Sequence, residues 1–173
     1  MRDAVAYSAV ETLRNGRRIE IRAFSPTDKE ALEAAVGRTS ALSLYRRFFT
    51  IKRDFTKRER DFFLNVDYVN HVALVAVADE TGRPAIIGGG RYVVVKPGSA
   101  EVAFVVIDEY QGQGIGATLL RHLTNVARAA GLQEFVAEVL AENSPMLDVF
   151  KNSGLPMSTT RESEDVHVTL RLD

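Results

Sequence analysis

A chain of 173 residues, 46% hydrophobic and 26% charged, has the length and composition of one domain over residues 1–173, burying roughly two-thirds of its unfolded surface. The net charge of −1 argues against a nucleic-acid or membrane-surface partner held by bulk charge, and the lack of cysteine excludes disulfides, thiolate metal sites and a thiol nucleophile. Residues 1–15 carry Asp3 and Glu11, and no stretch approaches about 18 uninterrupted apolar residues; neither a signal peptide nor a membrane span is expected, and the expected location is the cytoplasm.

Residues 18–24 alternate, with Ile19, Ile21 and Ala23 on one side, which predicts a half-buried strand. Ser25-Pro26-Thr27-Asp28 supplies capping chemistry for a helix over 29–36. A second helix is expected over 40–49, with Leu42, Tyr45 and Phe49 on one face. Thr56-Lys57-Arg58-Glu59 has the form of a capping box opening a third, whose Phe62 and Phe63 turn inward. From His71 the period changes. Residues 71–78 and 85–95 are rich in Val, Ile and Ala and flank a turn-forming run at 79–84, so they predict an antiparallel hairpin. A turn at 96–99 leads to a strand over 100–107. A strong helix follows over 115–130, with Leu119, Leu120, Leu123, Val126 and Ala127 inward and Gly131 as its C-terminal cap. A strand at 135–140, a short helix at 144–153 stopped by Gly154, and a strand carrying Val166, Val168, Leu170 and Leu172 complete the chain. This order predicts an α/β (α+β) fold: a mixed, mostly antiparallel sheet with helices on both faces.

Between the strand and the strong helix, Gly112, Gly114 and Gly116 occupy alternate positions. Glycine lets the backbone adopt unusual dihedrals and approach a ligand closely, and the free N–H groups of a helix's first turn attract negative charge. The combination suits a phosphate or pyrophosphate; a turn that merely packs helix on strand could carry the same residues. A P-loop would end in Gly-Lys-Ser or Gly-Lys-Thr, and no lysine lies between Lys96 and Lys151. A dinucleotide fingerprint is a closer rival, because Gly112, Gly114 and Ala117 satisfy G-x-G-x-x-A. In that fold, however, the strand runs almost directly into the first glycine, whereas Asp108-Glu109-Tyr110-Gln111 intervene here.

Gln111-Gly112-Gln113-Gly114-Ile115-Gly116 resembles motif A of the GNAT superfamily of N-acetyltransferases, Gln/Arg-x-x-Gly-x-Gly/Ala. Val105-Val106-Ile107-Asp108-Glu109-Tyr110 is similar to the strand that precedes that motif, and Asn143, Met146, Phe150 and Gly154 to the family's next motif. The resemblance implies that acetyl-CoA is the cosubstrate, with its pyrophosphate on the backbone amides of Gly112 to Ala117. It implies that the strand edge at Phe104, Val105 and Val106 pairs with pantetheine, whose amides can mimic a neighbouring strand. Asn143 matches an asparagine that bonds the cofactor in relatives, and it is equally placed to cap a helix. Residues 40–49, with Arg17, Arg18 and Ile19 to Arg22, resemble the GNAT domain of bacterial protein lysine acetyltransferases, enzymes that modify acyl-CoA synthetases. In many of them a regulatory or synthetase-like domain is fused to it, and none is expected within residues 1–173.

Acetyl transfer to an amine needs a neutral nitrogen, and deprotonating a lysine of pKa near 10.4 at pH 7 costs roughly 4–5 kcal/mol. A base is therefore expected. Glu101, at the start of the strand that would hold pantetheine, matches by resemblance the glutamate that serves as general base; a solvated strand-start glutamate is the plainer alternative. Phe150 stands where many relatives have a tyrosine as acid, which leaves that role vacant. His122 and His167 are expected to point outward, and no histidines have metal-ligand spacing, so no metal is expected. Arg46, Arg47, Lys52, Arg53, Lys57, Arg58 and Arg60 are interrupted by Asp54, Glu59 and Asp61, which suits a solvated surface better than a nucleic-acid patch. The expected partners are acetyl-CoA and an amine: a protein lysine, or a small amine. A non-catalytic acyl-CoA sensor would keep the glycine loop without needing Glu101.

Overall fold

The structure is a computed structural model and describes residues 7–28, 30–31, 34–35, 38 and 68–172. The helices expected over 40–49 and from 56 onward, with the basic run between them, lie outside the described residues. In chain order the described elements are β1 (Ser8–Thr12), β2 (Arg18–Ala23), β3 (His71–Glu80), β4 (Arg83–Lys96), β5 (Ser99–Val106), α1 (Ile115–Ala129), β6 (Glu134–Leu140), α2 (Ser144–Lys151), β7 (Met157–Glu162) and β8 (Asp165–Arg171). The strands form one sheet in the order β1-β2-β3-β4-β5-β6-β8-β7. Every neighbouring pair is antiparallel except β5 and β6. That parallel pair is joined by α1, because a parallel connection needs a crossover.

β3 is buried on both faces, which is why its sequence runs His-Val-Ala-Leu-Val-Ala-Val-Ala without polar alternation. α1 packs on β3, β4 and β5 through the stripe expected for it, and Leu119, Leu120 and Leu123 are almost wholly buried. Each such leucine stabilises the fold by about 1.5–3 kcal/mol through removal from water. The helix ends where expected, with Gly131 at φ 83° as the left-handed cap. Pro26–Asp28 forms a short 3-10 turn, and the Asp28 carboxylate accepts from the Ser25 N–H at 2.8 Å. Glu30, Ala31, Ala34 and Ala35 beyond it are helical, and Ala35 is buried.

Two expectations change. His122 is not on an outward polar face: it is buried, its Nδ1 meets the Tyr7 hydroxyl, and its Nε2 lies 2.5 Å from Glu11 Oε2. The cause is β1, a strand not foreseen, whose Glu11 also pairs with Arg121 on the same helix. β7, also unforeseen, is exposed along its whole length and so carries no hydrophobic alternation.

Candidate active site

β5 and β6 pair only from Ser99 to Glu101, whereas β6 stays with β8 over its whole length. Beyond Glu101 the two strands part, and among the described residues, 102–106 have no strand partner on that side. The Ile107 N–H donates to the Ile87 carbonyl at 3.0 Å. Because backbone groups alternate sides along an antiparallel ladder, Val102, Phe104 and Val106 turn theirs into the opening. One of them is claimed: Gln111 Nε2 donates to the Val106 carbonyl at 2.9 Å. The remaining edge has the pattern that an extended, amide-bearing ligand can complete as an added strand.

The glycine loop closes one end of this opening. Gly112 and Gly114 have φ of 79° and 87°, a left-handed backbone that favours glycine. Gly116 is helical; there a Cβ would meet Val149 Cγ2 at an ordinary 3.6 Å. Gly114 is the N-cap of α1 and has no side chain with which to cap it, while Thr118 returns both its N–H and its hydroxyl to the Gly114 carbonyl. The N–H groups of Ile115, Gly116 and Ala117 therefore await an acceptor, and an anion such as a pyrophosphate fits them.

A polar network holds the loop. Glu80, at the end of β3, receives both guanidinium nitrogens of Arg38 at 2.9 Å and the Tyr110 hydroxyl at 2.6 Å. The Arg38 pairing first, and the Tyr110 hydrogen bond second, hold the Glu80 carboxyl down at about 2. Burial and the same bond to Glu80 push the Tyr110 phenol up. Arg38 also reaches Glu109 at 3.0 Å, and Arg17 donates to the Tyr110 oxygen at 3.0 Å while its guanidinium stands 5.1 Å from the ring centre.

The fork, the loop and α2 enclose a cleft of about 730 Å³. Glu101, Phe104, Val105, Val106, Gln111, Gly112, Gly114, Ile115, Gly116, Ala117 and Asn143 all line it. Gln113 does not: its side chain accepts from Asn15 Nδ2 at 3.1 Å and donates to the Glu109 carbonyl. Phe104 and Ile115 are both buried. Asn143 caps α2, accepting from the Met146 N–H at 3.3 Å. Phe150 is buried at the base of the cleft with its ring 6.1 Å from that of Phe104. Glu101 is exposed where the strands separate, on the sheet face opposite Phe104 and α1. Three charged residues of the cleft escaped the sequence reading, Asp148 of α2 among them. Glu138 of β6 is paired with His167 Nδ1 at 2.5 Å, and Arg14 lies in the β1–β2 turn. The basic run Arg14-Asn15-Gly16-Arg17-Arg18 was a signal for Arg14, but only the fold carries it to the glycine loop.

An open strand edge leading to an uncapped helix terminus suits an acyl-CoA, whose amides and diphosphate it can take. The chain belongs to the acetyltransferase (GNAT) family, whose model matches residues 32–155, and it is an acetyl-CoA-dependent N-acetyltransferase. It is 32% identical over 141 residues to an acetyltransferase of Pseudomonas aeruginosa, covering 81% of this chain and 76% of that one. It is 33% identical over 144 residues to acetyltransferase Pat of Mycolicibacterium smegmatis, of whose length the match spans 42%. Among solved structures it is similar to the GNAT domain of S. lividans PAT, with a TM-score of 0.86 and 31% identity over 95% of this chain and 96% of that one.

Proposed function

We propose that the protein moves the acetyl group of acetyl-CoA to the ε-amine of a protein lysine, with Glu101 as general base and a lysine of an acyl-CoA synthetase as a candidate acceptor. The observation that carries the reading is the position of Glu101. It is the exposed carboxylate at the point where β5 leaves β6, on the strand whose free edge continues to the glycine loop. A donor laid along that edge, with its diphosphate on Gly114 to Ala117, would bring its thioester end toward the fork. There the lysine nitrogen attacks the acetyl carbonyl, the carbon–sulfur bond breaks and coenzyme A leaves as thiolate, which takes up the proton that the nitrogen sheds after the attack. Glu101, through a water, takes the proton that the ammonium must lose. The acceptor reaches the fork from the face on which Glu101 lies, away from α1. The resemblance of residues 40–49, and of Arg17 to Arg22, to the GNAT domain of bacterial protein lysine acetyltransferases supports a protein acceptor.

The deciding experiment incubates the protein with labelled acetyl-CoA and a cell extract and identifies the labelled species by mass spectrometry. Label on lysines of a few proteins, acyl-CoA synthetases among them, is the expected result. Label confined to small amines would remove the protein-lysine reading and keep the acetyltransferase. Acetyl-CoA bound but never consumed would favour a sensor.

A further inference from the structure

The donor site as the glycine loop defines it is made of backbone: amides at a helix terminus and an open strand edge. We infer that it also has a side-chain cation from outside the motif, Arg14, and that the β1–β2 turn is built to deliver it to the donor's diphosphate; this rests on the acetyl-CoA reading of the cleft. Three observations meet here. First, Arg14 lines the cleft, and its guanidinium Nη2 lies 3.9 Å from where a Cβ on Gly114 would stand, beside the uncapped start of α1. Second, among the described residues Arg14 makes no hydrogen bond or ion pair, unlike Arg17 three positions on, which is spent on Tyr110. Among the described residues this guanidinium has no carboxylate partner and stands beside the uncapped amides of α1, so positive charge and donors are brought together. A diphosphate answers both.

Third, the turn is fixed to the loop at separate points. Asn15 Nδ2 donates to Gln113 Oε1 at 3.1 Å, and Arg17 holds Tyr110 from above. Within the turn, Leu13 N–H donates to the Arg17 carbonyl at 2.8 Å, Gly16 N–H to the Leu13 carbonyl at 2.9 Å, and the Arg17 N–H to Asn15 Oδ1 at 3.0 Å. Gly16, at φ 85°, closes it. Gln113 therefore serves the site indirectly, by anchoring the turn that carries the arginine. Folded back in this way, the turn holds the Arg14 backbone beside the cleft, so that segment need not be ordered when an anion binds.

Calorimetric titration of the full chain with coenzyme A and with dephospho-coenzyme A, which keeps the diphosphate and lacks the 3′-phosphate, tests this. Arg14→Gln is expected to weaken both ligands equally, by about tenfold, as for one lost charge-assisted hydrogen bond, with an unchanged melting temperature because the side chain is exposed. Arg83→Gln, the same charge change at the exposed β3–β4 turn, is expected to bind both like the wild type. Equal affinity of Arg14→Gln and wild type would overturn the inference, and so would a loss confined to coenzyme A, which points to the 3′-phosphate. A loss shared with Arg83→Gln would reduce it to bulk charge. A wild type that binds neither compound would instead sink the donor reading itself.

Discussion

Glu101 and Tyr92 mark two opposite fates for a polar group in this sheet. Glu101 sits in the open, where it can meet water and substrate. If it relays the acceptor's proton, Glu101→Gln lowers turnover at neutral pH at least about tenfold, while the dissociation constant for acetyl-CoA stays within about twofold. An unaltered rate would remove Glu101 from the mechanism. Tyr92 is fully buried, its ring packs 5.7 Å from that of Phe135, and its hydroxyl has no hydrogen-bond partner among the described residues. Burial alone pushes its pKa to about 12. Removing a buried hydroxyl that bonds to nothing removes a desolvation cost, so Tyr92→Phe is expected to be neutral or to stabilise by up to about 1 kcal/mol in urea unfolding. A loss of more than about 1 kcal/mol would mean that the hydroxyl has a partner. Sequence distinguished Glu101 because it starts the strand expected to hold pantetheine and matches, by resemblance, the family's general-base glutamate. It could not distinguish Tyr92, whose isolation depends on what lies across the sheet.

At the scale of elements, what could be read ahead was whatever repeats locally. The stripe of α1, the glycine spacing before it and the alternation of β2 and β8 each declare themselves within one turn or one strand. β1 and β7 did not, because an edge strand has little buried face to impose a pattern, and Arg14 did not, because its turn gains meaning only by docking on a loop about a hundred residues away. Gly88-Gly89-Gly90 in β4 is a third case: it looks like a weak strand and is a packing device. A Cβ on Gly90 would stand 2.6 Å from Phe104 Cδ1 and 3.0 Å from Leu123 Cδ1, so the absent side chain is what lets the Phe104 ring lie flat between β4 and α1. The ring cannot swing away, because Phe150 closes the other side. Gly90→Ala is therefore expected to cost about 1–3 kcal/mol by overpacking, and Phe104→Leu in the same chain to recover part of it. A Gly90→Ala protein as stable as the wild type would show that the core has slack here.

Across the whole molecule, the Glu80 network ties together the β3–β4 hairpin, Arg38, the β1–β2 turn and the segment that launches the glycine loop. Its carboxyl titrates at about 2 in the fold against an ordinary 4.5. A group with a depressed folded pKa stabilises fully above the unfolded value and loses that contribution as pH falls from about 4.5 toward 2. Glu80→Gln is accordingly expected to be less stable than the wild type at pH 7, with the gap shrinking by pH 3 in urea melts; a gap that stays constant would show that the charge is not what matters. Because the network also seats Tyr110 and Arg17, the variant should weaken coenzyme A binding as well.

The fork has a further consequence for how the chain behaves among its own copies. A row of unpaired backbone groups is the feature by which sheets recruit foreign strands, and at the rim of a sheet it invites aggregation. Here the row lies in the middle of the sheet order, flanked by β4 on one side and by the departing β6 on the other. A polypeptide seeking to pair with it would have to enter a gap that closes at Glu101, where β5 and β6 meet. A thin, flexible thread with two amides meets no such obstacle. Moving the open edge from rim to interior thus turns a self-association hazard into a filter on ligand thickness.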